Sequence, residues 1–84
     1  MQKIVYSNHA LEQMDERGTN KPEVEEALLK GERIPAKRER QAYRLNFQYD
    51  NLWAGKFYAI KQVMPIVKTE ENRTIIITVY VFYF

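Results

Sequence analysis

The hydrophobic period of this chain changes once, near Gln41, and that change restricts the folds open to it. Before it, apolar residues recur at helical spacing; after it, they alternate. A chain that spends its first half on helices and its second on strands builds helices against a sheet. The stop signals agree. Ser7 or Asn8 can cap a helix whose apolar stripe is Ala10, Leu11 and Met14, and Gly18 can take the left-handed conformation beyond its end. Asn20 with Glu23 fits a capping box, Pro22 is tolerated in a first turn, and Val24, Ala27 and Leu28 hold helical spacing up to Gly31.

Lys3-Ile4-Val5-Tyr6 reads as a short leading strand, and residues Glu32 to Gln41, with Pro35 among them, read as a loop. In Ala42 to Tyr49, Tyr43, Leu45, Phe47 and Tyr49 alternate with Arg44, Asn46 and Gln48, the pattern of a half-buried strand. Asp50-Asn51 signals a turn, with Trp53 to Lys56 continuing it or holding a bulge. Phe57 to Val67 is the next strand, bent near Pro65, and Thr69 to Asn72 turns into a last strand from Thr74 to Phe84. There Ile75, Ile77, Val79 and Val81 fall on one face and Thr74, Ile76, Thr78, Tyr80 and Phe82 on the other.

The expected fold is therefore α+β in the order β-α-α-β-β-β, a helix hairpin packed on a twisted antiparallel sheet, with residues 1–84 as one domain. The uncovered face should show Arg44, Asn46, Gln48, Thr78 and Tyr80, joined by Lys61 or Gln62.

Composition narrows the function. There is no cysteine, and one histidine with scattered carboxylates gives no metal-ligand cluster, so neither a metal nor a cofactor is expected. The Thr74–Phe84 run is too short to span a bilayer as a helix, and with no leader pattern a cytoplasmic protein with no membrane partner is expected. Net charge is only +2, but base concentrates between Lys30 and Arg44, a phosphate footprint or a solvated loop.

His9, Gln13 and Arg17 fall four apart on one slowly turning helical stripe. An imidazole titrates near neutrality, and a guanidinium donates several hydrogen bonds to an anion. Metal-independent RNA cleavage needs a base, an acid and cations around the phosphorane. The catalytic candidates are His9, Arg17, Arg44, Lys61 and Tyr80; Lys37, Arg38, Arg40, Tyr43 and Asn46 are candidates for RNA contact. Each has a plainer role open to it. His9 can be a local cap, Arg17 can complement its helix dipole, Arg44 can sit on a solvent face, and the tyrosines can pack.

The pattern His9-Ala10, Met14, Arg17-Gly18, followed by Val24 to Leu28, resembles a family of small prokaryotic domains of unknown function. Its first helix reads His-Ala-x-x-Arg-Met-x-x-Arg-Gly. Gln13 stands where that family has its middle arginine, which removes one charged contact. In architecture, two helices followed by an antiparallel sheet resemble the RelE/ParE group of toxins, a likeness that implies an RNA-cleaving toxin neutralised by a protein antitoxin. The terminal run Val79 to Phe84, apolar on both faces, then invites pairing with an antitoxin segment or a homodimer mate. The second function class open to the chain is a non-catalytic protein-interaction or dimerisation module on the same scaffold.

Overall fold

The computed structural model describes residues 3–84. The elements are β1 (Lys3–Tyr6), α1 (Asn8–Arg17), α2 (Lys21–Lys30), β2 (Glu32–Pro35), β3 (Gln41–Trp53), β4 (Lys56–Glu70) and β5 (Arg73–Tyr83). The five strands form one sheet in the order β1-β5-β4-β3-β2. β1 runs parallel to β5, and the other neighbours are antiparallel. The fold is α+β, two helices on a mixed sheet.

Both helices start as their sequences dictate. The Ser7 hydroxyl accepts the Ala10 amide at 3.0 Å, and Asn20 Oδ1 accepts the Glu23 amide at 3.0 Å. Gly18 closes α1 at φ 82°, with its own amide and that of Thr19 donating to the Met14 carbonyl. The capping box forms only in part: the Glu23 carboxylate turns to the Thr19 hydroxyl and to Lys61.

The helices cover one face of the sheet. The core is Ala10, Met14 and Val24 from the helices against Val63, Val67, Ile76 and Val79 from β4 and β5. Ile4, Tyr6, Leu28, Tyr43, Phe47 and Val81 pack around it. Leu11, expected on the apolar stripe, is more than a third exposed.

Three readings of the strands are corrected. The expected loop after α2 contains β2, whose residues Glu32 to Pro35 pair with Arg44 to Gln41. Asp50-Asn51 is not the turn. The register of β3 on β4 shifts between Gln48 and Asn51, with Asp50 at φ 45°, and the chain reverses instead at Ala54-Gly55, φ 52° and 83°. In β5 the register slips beside Ile66 and Val67, so Thr78 and Ile76 face consecutive residues and Ile77 is extra. The slip reverses the side-chain phase. Ile76 enters the core together with Val79, whereas strict alternation puts them on opposite faces. Pro65, in the central strand β4, has no N–H to offer, and the pairing of β3 with β4 is interrupted beside it, between the Ala42–Ile66 and Leu45–Val63 pairs.

Candidate nucleic-acid interface

Alternation along the strands sends Arg44, Asn46 and Gln48 of β3, Gln62 and Met64 of β4, and Tyr80 and Phe82 of β5 to the face away from the helices. The register aligns Asn46, Gln62 and Phe82 in one row across three strands. Gln62 Nε2 donates to Asn46 Oδ1 at 2.8 Å. Met64 lies opposite Tyr80, and Arg44 falls between residues paired with Ile66 and Val63, which puts it in the same row. Arg44 and Tyr80 are thus two strand spacings apart, about 10 Å.

Tyr80 and Phe82 are 41% and 42% exposed, and their rings lie 6.4 Å apart at 18°. Arg17 arrives from the end of α1. Its guanidinium donates to the Val79 carbonyl at 2.8 Å and sits 5.1 Å from the Tyr80 ring centre. The structure therefore brings Arg17 and Tyr80 together at the margin of the open face. Arg44 keeps an ion pair with Glu32 at 2.9 Å on a side chain 40% exposed.

The remaining candidates lie elsewhere. Lys61 does not reach the open face; Gln62 does. Lys61 is turned towards the helices and nearly buried, with Nζ 2.8 Å from Glu23 Oε1, 3.0 Å from the Gly18 carbonyl and 5.4 Å from the Tyr49 ring centre. The odd-numbered phase of β4 dictates this, since Lys61 shares its face with Val63, Pro65 and Val67. Tyr43 packs against the core and donates to Gln41 Oε1 at 3.0 Å. His9 is exposed in the first turn of α1. Eight residues separate it from Arg17, a rise of about 12 Å, and the Arg17 guanidinium is turned to the Val79 carbonyl. Lys37, Arg38 and Arg40 are exposed at the β2–β3 connection, where Arg38 and Glu39 both hold left-handed backbone, φ 60° and 61°. Gln48, Gln62, Met64 and Phe82 are residues of the open face that the candidates lacked. The phase of Phe82 with Tyr80 and of Gln48 with Asn46 was present in sequence; that of Gln62 and Met64 was settled only by the register of β4.

Beneath the Arg17 end of α1, Tyr83 stacks on Trp53 at 4.9 Å, with Tyr49 and Tyr58 at 5.3 and 5.5 Å. Its hydroxyl donates to the Arg17 carbonyl at 2.7 Å. Burial, with Tyr49 and Glu23 adding to it, pushes the Tyr83 hydroxyl up to about 12. The Tyr6 hydroxyl is also raised above the ordinary tyrosine range, by burial first and then by its 2.7 Å bond to Glu25. The Tyr83 and Val79 bonds to Arg17 pin α1 over β5 and so hold Arg17 beside Tyr80.

Among the described residues no three histidine, cysteine or acidic side chains cluster to hold a metal ion, and no helix is long and apolar enough to cross a membrane. The open face offers stacking rings, amides and guanidinium groups, which suit flat bases and phosphates. The family described as "Domain of unknown function (DUF4258)" matches residues 6–81. The chain belongs to this family. The match spans both helices and nearly all of the sheet, including Arg17, Arg44, Asn46, Gln62 and Tyr80, with Phe82 just beyond it. No curated protein and no solved structure matches the chain.

Proposed function

We propose that this DUF4258 domain binds single-stranded RNA on the open face of its sheet, as a toxin-like RNA-binding and RNA-cleaving domain would. One observation carries the reading. Tyr80 and Phe82 stand exposed and stacked on an uncovered sheet, with the Arg17 guanidinium against Tyr80 and the Asn46–Gln62 amide pair in the row of Phe82. Sheet aromatics stack on splayed bases, amides read base edges, and guanidinium groups take phosphates. Cleavage without a metal is the extension of this reading, with His9 as proton donor or acceptor at a phosphate other than the one Arg17 holds.

The test is titration of a labelled single-stranded RNA followed by fluorescence anisotropy. Tyr80→Ala and Phe82→Ala each weaken binding by about 1–3 kcal/mol, roughly 5- to 150-fold. Arg44→Gln lowers the slope of log affinity against log salt by about 1. Binding unchanged in the Tyr80→Ala/Phe82→Ala double variant refutes the reading. Cleavage of the same RNA in chelator, lost in His9→Ala, supports the extension.

A second reading rests on the apolar part of the same face. Val5, Ile60, Met64, Ile66 and Ile75 share its phase, a composition that also suits a protein partner, such as an antitoxin, on a non-catalytic module. A wild-type chain that binds no RNA leaves this second reading in place of the first.

A further inference from the structure

The two margins of the sheet are finished differently. Beyond Ile76, the outer edge of β5 is occupied by α1. The Ser7 hydroxyl donates to the Ile77 carbonyl at 2.9 Å, and Arg17 donates to that of Val79. At the other margin β2 pairs with β3 only from Gln41 to Arg44. From Leu45 to Tyr49, β3 has β4 on one side and no strand among the described residues on the other.

The direction of the backbone groups on that margin follows from the ladder. Ile60 exchanges both of its backbone bonds with Phe84, so it faces β5. Its neighbour Lys61 then faces β3, where it pairs with Phe47. Phe47 bonds inward, and Asn46 and Gln48 direct their N–H and C=O groups outward, away from the sheet. Edge strands are normally blunted by lysine, proline or a bulge. Leu45-Asn46-Phe47-Gln48-Tyr49 holds neither lysine nor proline, and its irregularity begins only past Gln48.

We propose that a second copy of this chain occupies this edge, the two β3 strands pairing antiparallel about a two-fold axis at Phe47. The segment is self-complementary in that register. Asn46 falls opposite Gln48 of the other copy, both with outward groups, which gives two reciprocal pairs of N–H···O=C bonds. Phe47 meets Phe47, and Leu45 meets Tyr49, on the helix side. None of the five residues is charged, so no like charges oppose. Arg44, one residue further, is already paired with Glu32 of its own chain, so no charged residue enters the contact. Glu32, seated beside Arg44, limits the pairing to these five residues. An unrelated strand has no reason to match this symmetry; a copy of the same strand does so automatically. The product is one continuous sheet of both copies, with their Asn46 and Gln48 side chains adjoining on the open face. The proposal stands apart from RNA binding and is tested separately.

Sedimentation equilibrium of the full chain without RNA reads it out. The wild-type mass rises from one chain towards two with concentration. Gln48→Pro removes an outward N–H that no intrachain bond uses, so the fold stays intact by circular dichroism and the mass stays at one chain. Asn46 and Gln48 side chains are exposed, which allows a charge test that does not alter the backbone. N46K/Q48K sets lysines opposite one another and gives a monomer; N46K/Q48E sets lysine opposite glutamate and restores the dimer. A wild-type chain that stays monomeric into the millimolar range overturns the proposal. So does a dimer that survives N46K/Q48K, or an N46K/Q48E variant that remains monomeric.

Discussion

Replacing Lys61 by methionine removes a charge from a place where water barely reaches. The Lys61 side chain is 9% exposed and its partner Glu23 is 21% exposed, with 2.8 Å between Nζ and Oε1. Breaking a buried ion pair from one side costs about 3–5 kcal/mol, because the other charge is left behind. Here Glu23 keeps the Thr19 hydroxyl at 2.8 Å and some solvent, which lowers the cost. The Gly18 carbonyl loses its 3.0 Å donor, which raises it by a part of a hydrogen bond. Methionine preserves most of the apolar stem. The expected loss is about 3 kcal/mol, equivalent to a melting temperature lower by about 12–24 °C for a domain of this size. Urea denaturation of Lys61→Met measures the loss, and Glu23→Gln in the same background recovers part of it by removing the stranded charge. RNA affinity, measured well below the melting transition, stays at the wild-type value because Lys61 lies on the opposite side of the sheet from Tyr80. A loss under about 1 kcal/mol refutes the burial argument. A well-folded Lys61→Met chain that no longer binds RNA refutes its assignment as a structural residue.

Gly18→Ala should destabilise the fold by about 2–4 kcal/mol, through left-handed strain and lost contacts. A methyl there meets Trp53 within 2.6 Å and the Tyr83 hydroxyl within 2.7 Å; a melting curve superimposable on wild type would contradict this. Ile76→Ala should cost about 2–5 kcal/mol in chemical denaturation and its neighbour Ile75→Ala much less, since the β5 slip buries only the former; the reverse order would remove the slip. Tyr83 holds its proton longer when folded than when unfolded, so its contribution to stability is complete below about pH 10 and is lost as pH rises through about 12. Absorbance titration at 295 nm (~10 is the ordinary tyrosine midpoint) should show late-ionising tyrosines in the wild type and one fewer in Tyr83→Phe.

The helices were legible because their signals are local. Ser7, Gly18 and Asn20 act on backbone groups within four residues, and each caps its helix end as read, while the Glu23 half of the capping box is given to Thr19 and Lys61. The phase of β3 was legible for the same reason: Arg44, Asn46 and Gln48 alternate with apolar residues over an uninterrupted stretch. Lys61 could not be placed on either face from sequence, because its side depends on where irregularities fall between Trp53 and Val67. Asp50-Asn51 has the composition of a turn, yet the two strands continue past it to Ala54-Gly55, where the reversal pairs Trp53 with Lys56.

The candidate site divides along the same line. Tyr80 and the polar residues of β3 come from periodicity alone. The meeting of Arg17 with Tyr80 does not, since it requires α1 to lie along β5, an arrangement sixty residues distant in sequence and fixed by Tyr83 and Val79. The sequence by itself determined two capped helices, the α+β class and which side chains share a strand face, because hydrogen bonds one turn away and a two-residue repeat settle those. Tertiary structure alone decided the β5 slip, the burial of Lys61 and the open margin of β3. Each depends on which residue of a distant strand stands opposite, and a one-residue change in that pairing exchanges core for solvent.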